Sequence, residues 1–205
     1  MRTGRAFVGS LLVVALAAAG AGCAAQGGRQ GAVEVAVMKE AAGTPVLEGF
    51  ANPVEGIRSG GRISAADLPV LDAAGVRHVI DLTPDGETPD FDEAAAVRAA
   101  GMRYDNLPIS GPGDLTRENV AAFDRLIEGI DEPALVHCAS GNRVGALAAL
   151  RAAWMNGADD ETAVGEGRRW GLRGLEGEVR ERLARERCLA GAPSVDVMER
   201  CATGG

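Results

Sequence analysis

The segment that most constrains this chain runs from Pro133 to Asn156. Pro133-Ala134-Leu135-Val136-His137 reads as a short buried strand, and Arg143 to Asn156 reads as an Ala-rich helix. Between them Cys138-Ala139-Ser140-Gly141-Asn142 turns the chain. A buried strand that runs directly into a helix is the unit from which parallel sheets are built. Small residues at Gly145, Ala146, Ala148 and Ala149 would let the helix approach its neighbours closely.

The surrounding pattern repeats this alternation. Val76 to Thr83 reads as a strand closed by Pro84-Asp85-Gly86, and Met102 to Leu107 as another. Helices are expected at Ser64–Ala74, at Phe91–Ala100, and from Thr116 to Ile130 with Thr116 as N-cap. In the last of these, Val120, Phe123, Leu126, Ile127 and Ile130 share one face. Short strands are expected near Phe50 and Ile57-Arg58, and two more helices near Asp160–Arg169 and Leu175–Arg187. The fold class is therefore α/β: a single domain with a mainly parallel central sheet flanked by helices. The domain is placed at residues 46–189, with a C-terminal tail at 190–205. With only 3% aromatic residues, its core must be built from Ala, Val, Leu and Ile.

The N-terminus reads differently. Arg2 and Arg5 precede an apolar run from Ala6 to Ala19, followed by Gly20-Ala21-Gly22-Cys23. This is the three-part layout of a secretory signal, and the run is short for a spanning helix, which needs about 20 residues. A Cys directly after small residues resembles a bacterial lipoprotein box. That resemblance implies removal of residues 1–22, lipid on Cys23 and a place in the cell envelope, periplasmic or at the outer membrane. The alternative is ordinary secretion with an incidental Cys23. Residues 23–45 are rich in Ala, Gly and Gln and read as a flexible linker. A net charge of −8 argues against a nucleic-acid partner. The membrane is expected as a partner only through the lipid.

Export implies an oxidising compartment, and Cys188 and Cys201 lie close enough in sequence to bridge. No C-x-x-C pair is present, and His78 and His137 are the only histidines, so no metal site and no cofactor are expected. Cys138 is then left without a partner. It falls at the C-terminal end of a strand, where open α/β sheets bind ligands. Backbone N–H groups at a helix start lack internal partners and, with the helix dipole, form an anion nest. Gly141 permits the tight turn, and Arg143 supplies a planar fork suited to an oxyanion. Such surroundings favour a thiolate, which can attack a bound phosphoryl group.

His137-Cys138-x-x-Gly141 followed by Arg143 resembles the protein tyrosine phosphatase superfamily. The wider match is to the bacterial beta-lactamase-hydrolase-like phosphatase domain. It rests on Ser59-Gly60-Gly61, the stretch Val79 to Glu87, Leu107-Pro108-Ile109 and the loop itself, over roughly residues 46 to 185. The resemblance implies a hydrolase acting on a phosphorylated small molecule or protein. It implies that Cys138 is the nucleophile, that Arg143 binds the oxyanion, that Ala139, Ser140, Gly141 and Asn142 line the nest, and that His137 orients the loop. The general acid should come from a neighbouring loop. Asp114, in Ile109-Ser110-Gly111-Pro112-Gly113-Asp114, is the candidate, and Asp85 the runner-up.

The spacing departs from the usual phosphatase loop, with four residues rather than five between Cys138 and Arg143. A loop this short also resembles rhodanese-type sulfurtransferases, which would make Cys138 a persulfide carrier. A non-catalytic anion-binding module is the third reading. Val144 and Gly145 stand where tyrosine phosphatases usually have a Ser or Thr.

Overall fold

A computed structural model describes residues 47–203. The expected signal segment, Cys23 and the linker lie outside the described residues. Strands β1 (Ala51–Val54), β2 (Ile57–Gly60), β3 (His78–Asp81), β4 (Arg103–Asn106) and β5 (Ala134–His137) form one sheet. Its order is β1-β2-β5-β3-β4. β1 and β2 are an antiparallel hairpin at one edge, while β2–β5, β5–β3 and β3–β4 pair in parallel. The sheet is thus mainly parallel, with an antiparallel edge. β5 occupies its centre, and all four of its residues are buried.

Helices cover both faces. α1 (Leu68–Ala73) and α2 (Glu93–Ala99) lie on one. There Leu68, Leu71 and Val97 pack with Val79 and Leu135. α3 (Arg117–Glu128), α4 (Asn142–Trp154), α5 (Asp160–Arg169) and α6 (Glu176–Ala190) lie on the other. Their core includes Phe123, Leu147, Leu150, Val164 and Val179, packed against Ile80 and Val136. Successive residues of a strand point to opposite faces. Leu135 and His137 therefore face α1 and α2, while Val136 and Cys138 face the larger core.

Local sequence explains the boundaries. Thr116 caps α3, its hydroxyl accepting from the Asn119 N–H at 3.2 Å, a contact worth about 1 kcal/mol in comparable helices. Val120, Phe123 and Ile127 of the predicted face are buried, with Leu126 and Ile130 packed at its margin. α4 has almost no polar face, because it is covered by the sheet, α3, α5 and α6. Its small residues let α5 approach closely. A Cβ at Gly145 would stand 2.1 Å from the Leu172 backbone nitrogen and 2.7 Å from the Gly167 carbonyl oxygen.

The C-terminal segment is not an unstructured tail. α7 (Val195–Thr203) continues the helical layer, and a Cys188–Cys201 disulfide joins it to α6 with a Cα–Cα distance of 5.6 Å. A cross-link over so short a loop contributes on the order of 3 kcal/mol in the chain-entropy model. Exposed ion pairs add a lesser clasp: Arg117 holds Glu186 at 2.8 Å, and Arg180 holds both Glu161 and Glu176. Among the described residues, no helix is long and apolar enough to cross a membrane.

His78 takes a structural place at the other end of β3. Its buried ring bonds Asp105 through Nε2 at 2.7 Å, and Nδ1 accepts from the Arg103 guanidinium at 2.8 Å. An arginine cannot accept, so the ring is neutral with its proton on Nε2. Burial lowers its pKa below 6.5, and Arg103 adds to the effect against the opposing pull of Asp105.

Two outcomes are expected. Gly145→Ala forces α4 and α5 apart and should destabilise the fold by about 1–3 kcal/mol in urea unfolding. For His78, the unfolded chain binds the proton more tightly than the folded one, so stability rises with pH. Its contribution is complete above about pH 6.5 and is lost as pH falls toward the lower folded value. Urea midpoints at pH 7.5 and 5.5 should therefore differ less in His78→Gln than in the parent.

Candidate active site

The loop expected to carry chemistry closes against the end of β2. The Cys138 N–H donates to the Gly60 carbonyl at 3.2 Å, and the Arg62 N–H donates to the Ala139 carbonyl at 3.4 Å. Ser140 forms an isolated bridge with Gly61. Gly141 has φ +82°, and a Cβ there would sit 3.2 Å from the Gly60 Cα. Both the left-handed backbone and the close approach require glycine. The turn aims the Gly141 N–H at the Cys138 sulfur, 3.2 Å away. Cys138 itself is fully buried and is the one free cysteine among the described residues.

α4 begins at Asn142, directly after this turn. Asn142 lies at the nest, but its side chain faces away from the loop. Its Oδ1 accepts from the backbone N–H groups of Arg173 at 2.9 Å and Leu175 at 3.3 Å. That clips the α5–α6 connection to the rim. Arg143 is nearly buried, and its guanidinium bridges two other loops. Nη1 donates to the Ile109 carbonyl at 2.6 Å, and Nη2 meets Glu87 Oε2 at 2.7 Å. Glu87 also lies 3.5 Å from Arg62.

Glu87 was invisible as a site residue in the sequence. It stands in a Pro-Asp-Gly-Glu turn, where acids are ordinary. The usable signal was topological: its turn follows β3, the strand adjacent to β5, so it shares a rim with Arg143.

The remaining candidates separate. Asp114 ends a 3-10 turn (Pro112–Asp114), and its carboxylate accepts from the Ser110 N–H at 2.7 Å. Its loop reaches the site through Ile109, whose carbonyl holds Arg143. Asp85 is exposed in the turn after β3. His137 turns its ring away from the thiol, as strand alternation requires. Nε2 lies 2.7 Å from Glu93 Oε1 and 3.7 Å from Asp81 Oδ1. Any orienting effect on the loop acts through the backbone of β5, not through a contact with sulfur. Tyr104 donates to Asp81, Trp154 lies under the Arg117 guanidinium, and Trp170 is buried in the core.

A mainly parallel sheet whose central strand runs into a cysteine, followed by a glycine turn and an arginine on the first turn of a helix, is the arrangement of a phosphatase-like α/β domain. Residues 54–155 match the family described as beta-lactamase hydrolase-like protein, phosphatase-like domain. The chain belongs to this family. It is 37% identical over 87 residues to a beta-lactamase hydrolase-like protein of Agrobacterium fabrum, and 41% identical over 80 residues to one of Xylella fastidiosa. These alignments take in 40% and 37% of this chain but only 20% and 18% of those proteins, so it spans about a fifth of their length. Among solved structures, a putative phosphatase of Neisseria meningitidis shares the fold with a TM-score of 0.55 at 23% identity. That match covers 65% of this chain and 94% of the other. One from Shewanella putrefaciens gives 0.51 at 23%, covering 67% and 92%.

Gly141→Ala should keep the fold, because only the loop is strained, while weakening vanadate binding at least roughly tenfold through misaligned N–H donors. Titration of vanadate against the purified variant, with circular dichroism as the folding control, measures both.

Proposed function

We propose that the chain is a cysteine-dependent phosphatase that hydrolyses a phosphotyrosine or small phosphoester through a phosphocysteine intermediate. The observation that carries this reading is the convergence on one loop of a free buried cysteine, a backbone N–H aimed at its sulfur, and an arginine fork on the following helix turn.

The chemistry follows from the parts. A phosphoryl group that parts the turn to reach sulfur accepts from the backbone N–H groups of Ala139 to Asn142 and from the Arg143 fork. The Cys138 thiolate attacks phosphorus, the P–O bond to the leaving group breaks, and Asp114 gives its proton to the departing oxygen. Water, deprotonated by the same carboxylate, then attacks phosphorus and returns sulfur as thiolate. Glu87 and the Ile109 carbonyl hold the guanidinium in register before substrate arrives. That saves the entropy of ordering a long side chain at the moment of binding.

The four-residue spacing between Cys138 and Arg143 favours one rival, transfer of sulfur through a Cys138 persulfide. The N-terminal layout supports export to the envelope, with Cys23 as a lipid attachment point.

Cys138→Ser should abolish hydrolysis of p-nitrophenyl phosphate. Asp114→Asn should slow alkyl phosphates about a hundredfold while slowing p-nitrophenyl phosphate much less, because a good leaving group needs no proton. Intact-mass analysis after quenching should find a phosphoryl adduct on the parent protein. A sulfur adduct after thiosulfate, with no phosphatase turnover, would replace this reading by the rival.

A further inference from the structure

We propose that Asp81, Glu93 and His137 bind one divalent first-row transition cation, on the face of the sheet opposite Cys138. The three residues come from β3, α2 and β5, far apart in sequence, which is why spacing rules gave no hint of a metal site. All three are buried, with Glu93 only 4% exposed. One ligand atom from each lies within 4.8 Å of the others.

The distances suit a small cation. Ligand atoms about 2.1 Å from a tetrahedral zinc stand roughly 3.4 Å from one another. His137 Nε2 lies 2.7 Å from Glu93 and 3.7 Å from Asp81, values that bracket this spacing. Shifts of under about 1 Å would seat the ion.

A further observation points to a ligand. Glu93 Oε2 is buried without any hydrogen-bond partner. An orphaned buried carboxylate oxygen is costly, and a cation relieves that cost. Among the described residues no arginine pairs with Asp81 or Glu93, so one imidazole faces two carboxylates. Asp81 and Glu93 also line a cavity of about 360 Å³ that Asp85, Asp92 and Tyr104 share. Asp85 and Asp92 are exposed, so this opening is acidic and attracts cations.

Outer groups already orient one ligand. Asp81 Oδ1 accepts from the Thr83 N–H at 2.7 Å and the Thr83 hydroxyl at 2.6 Å. Its Oδ2 accepts from the Tyr104 hydroxyl at 2.9 Å and the Asn106 amide at 3.4 Å. Such supports fix the carboxylate while the Thr83 hydroxyl can rotate away from an arriving ion. One imidazole with two carboxylates suits zinc, manganese or iron rather than calcium or magnesium, and the cavity leaves a coordination position for water. The cation would fix the end of β5 that presents the catalytic loop.

The site stands apart from the proposed chemistry, and so does its test. The full chain carrying Cys23→Ser and Cys138→Ser, which removes both cysteines outside the Cys188–Cys201 disulfide, is stripped with chelator and dialysed against micromolar zinc. One retained equivalent is expected, lost when Glu93→Gln is added. Cobalt in the thiol-free protein should give the visible bands of a four- or five-coordinate oxygen–nitrogen site. If the thiol-free protein retains no zinc, or if Glu93→Gln folds and retains it fully, the proposal is overturned. Should Glu93→Gln not fold, the cobalt spectrum decides: only the pale octahedral spectrum of aqueous cobalt would overturn it.

Discussion

The site depends on one backbone contact, the seating of the Cys138–Gly141 turn on Gly60 and Gly61 at the end of β2. Two strands in parallel register bring these segments side by side, with Gly60 opposite His137. Past that pair the chains must diverge, one into a loop and one into a helix. They can stay in contact only because neither side carries a Cβ at the closest point, where Gly141 approaches Gly60. That contact sets the resting geometry of the turn, and its N–H falls on sulfur. Arg143, Glu87 and Ile109 are arranged around a geometry that this contact has already set.

The central strand separates two environments by simple alternation. Val136 and Cys138 belong to the large core under α3 to α6, and Leu135 and His137 to the smaller one under α1 and α2. Neighbours in sequence are thereby placed back to back. His137 and Cys138 share a peptide bond, yet one looks into an acidic cluster and the other into an oxyanion turn. Rigid parallel pairing on both sides of β5 transmits position between them without any side-chain contact.

Much of this was legible because it is local. Strand β5, the glycine turn and α4 follow from an apolar run, a Gly and an Ala-rich pattern, and Thr116 announced the start of α3 by its capping chemistry. The helix over Asp160–Arg169 has those same bounds in the structure. What escaped was non-local. Glu87 reaches Arg143 across 56 positions, and Glu93 reaches His137 across 44. Neither acid sits in a pattern that distinguishes it from a turn residue or a helix-start residue. The direction of the Asn142 side chain escaped for the same reason, since its partners at Arg173 and Leu175 follow a whole further helix. The segment after residue 190 read as a tail because its short amphipathic pattern is marginal alone; the cross-link to α6 lets it persist as a helix.

The full burial of Cys138 has a consequence of a different kind. A thiol with no exposed surface reacts with nothing larger than a proton until the turn above it moves. Its reactivity toward an alkylating agent or an oxidant is then set by how often that motion occurs, not by the sulfur alone. Each tenfold slowing relative to an open thiol would correspond to about 1.4 kcal/mol of free energy stored in the closed turn. The glycine contact that builds the turn thus also works as a shield for the sulfur, while leaving it within reach of a ligand able to part the loop.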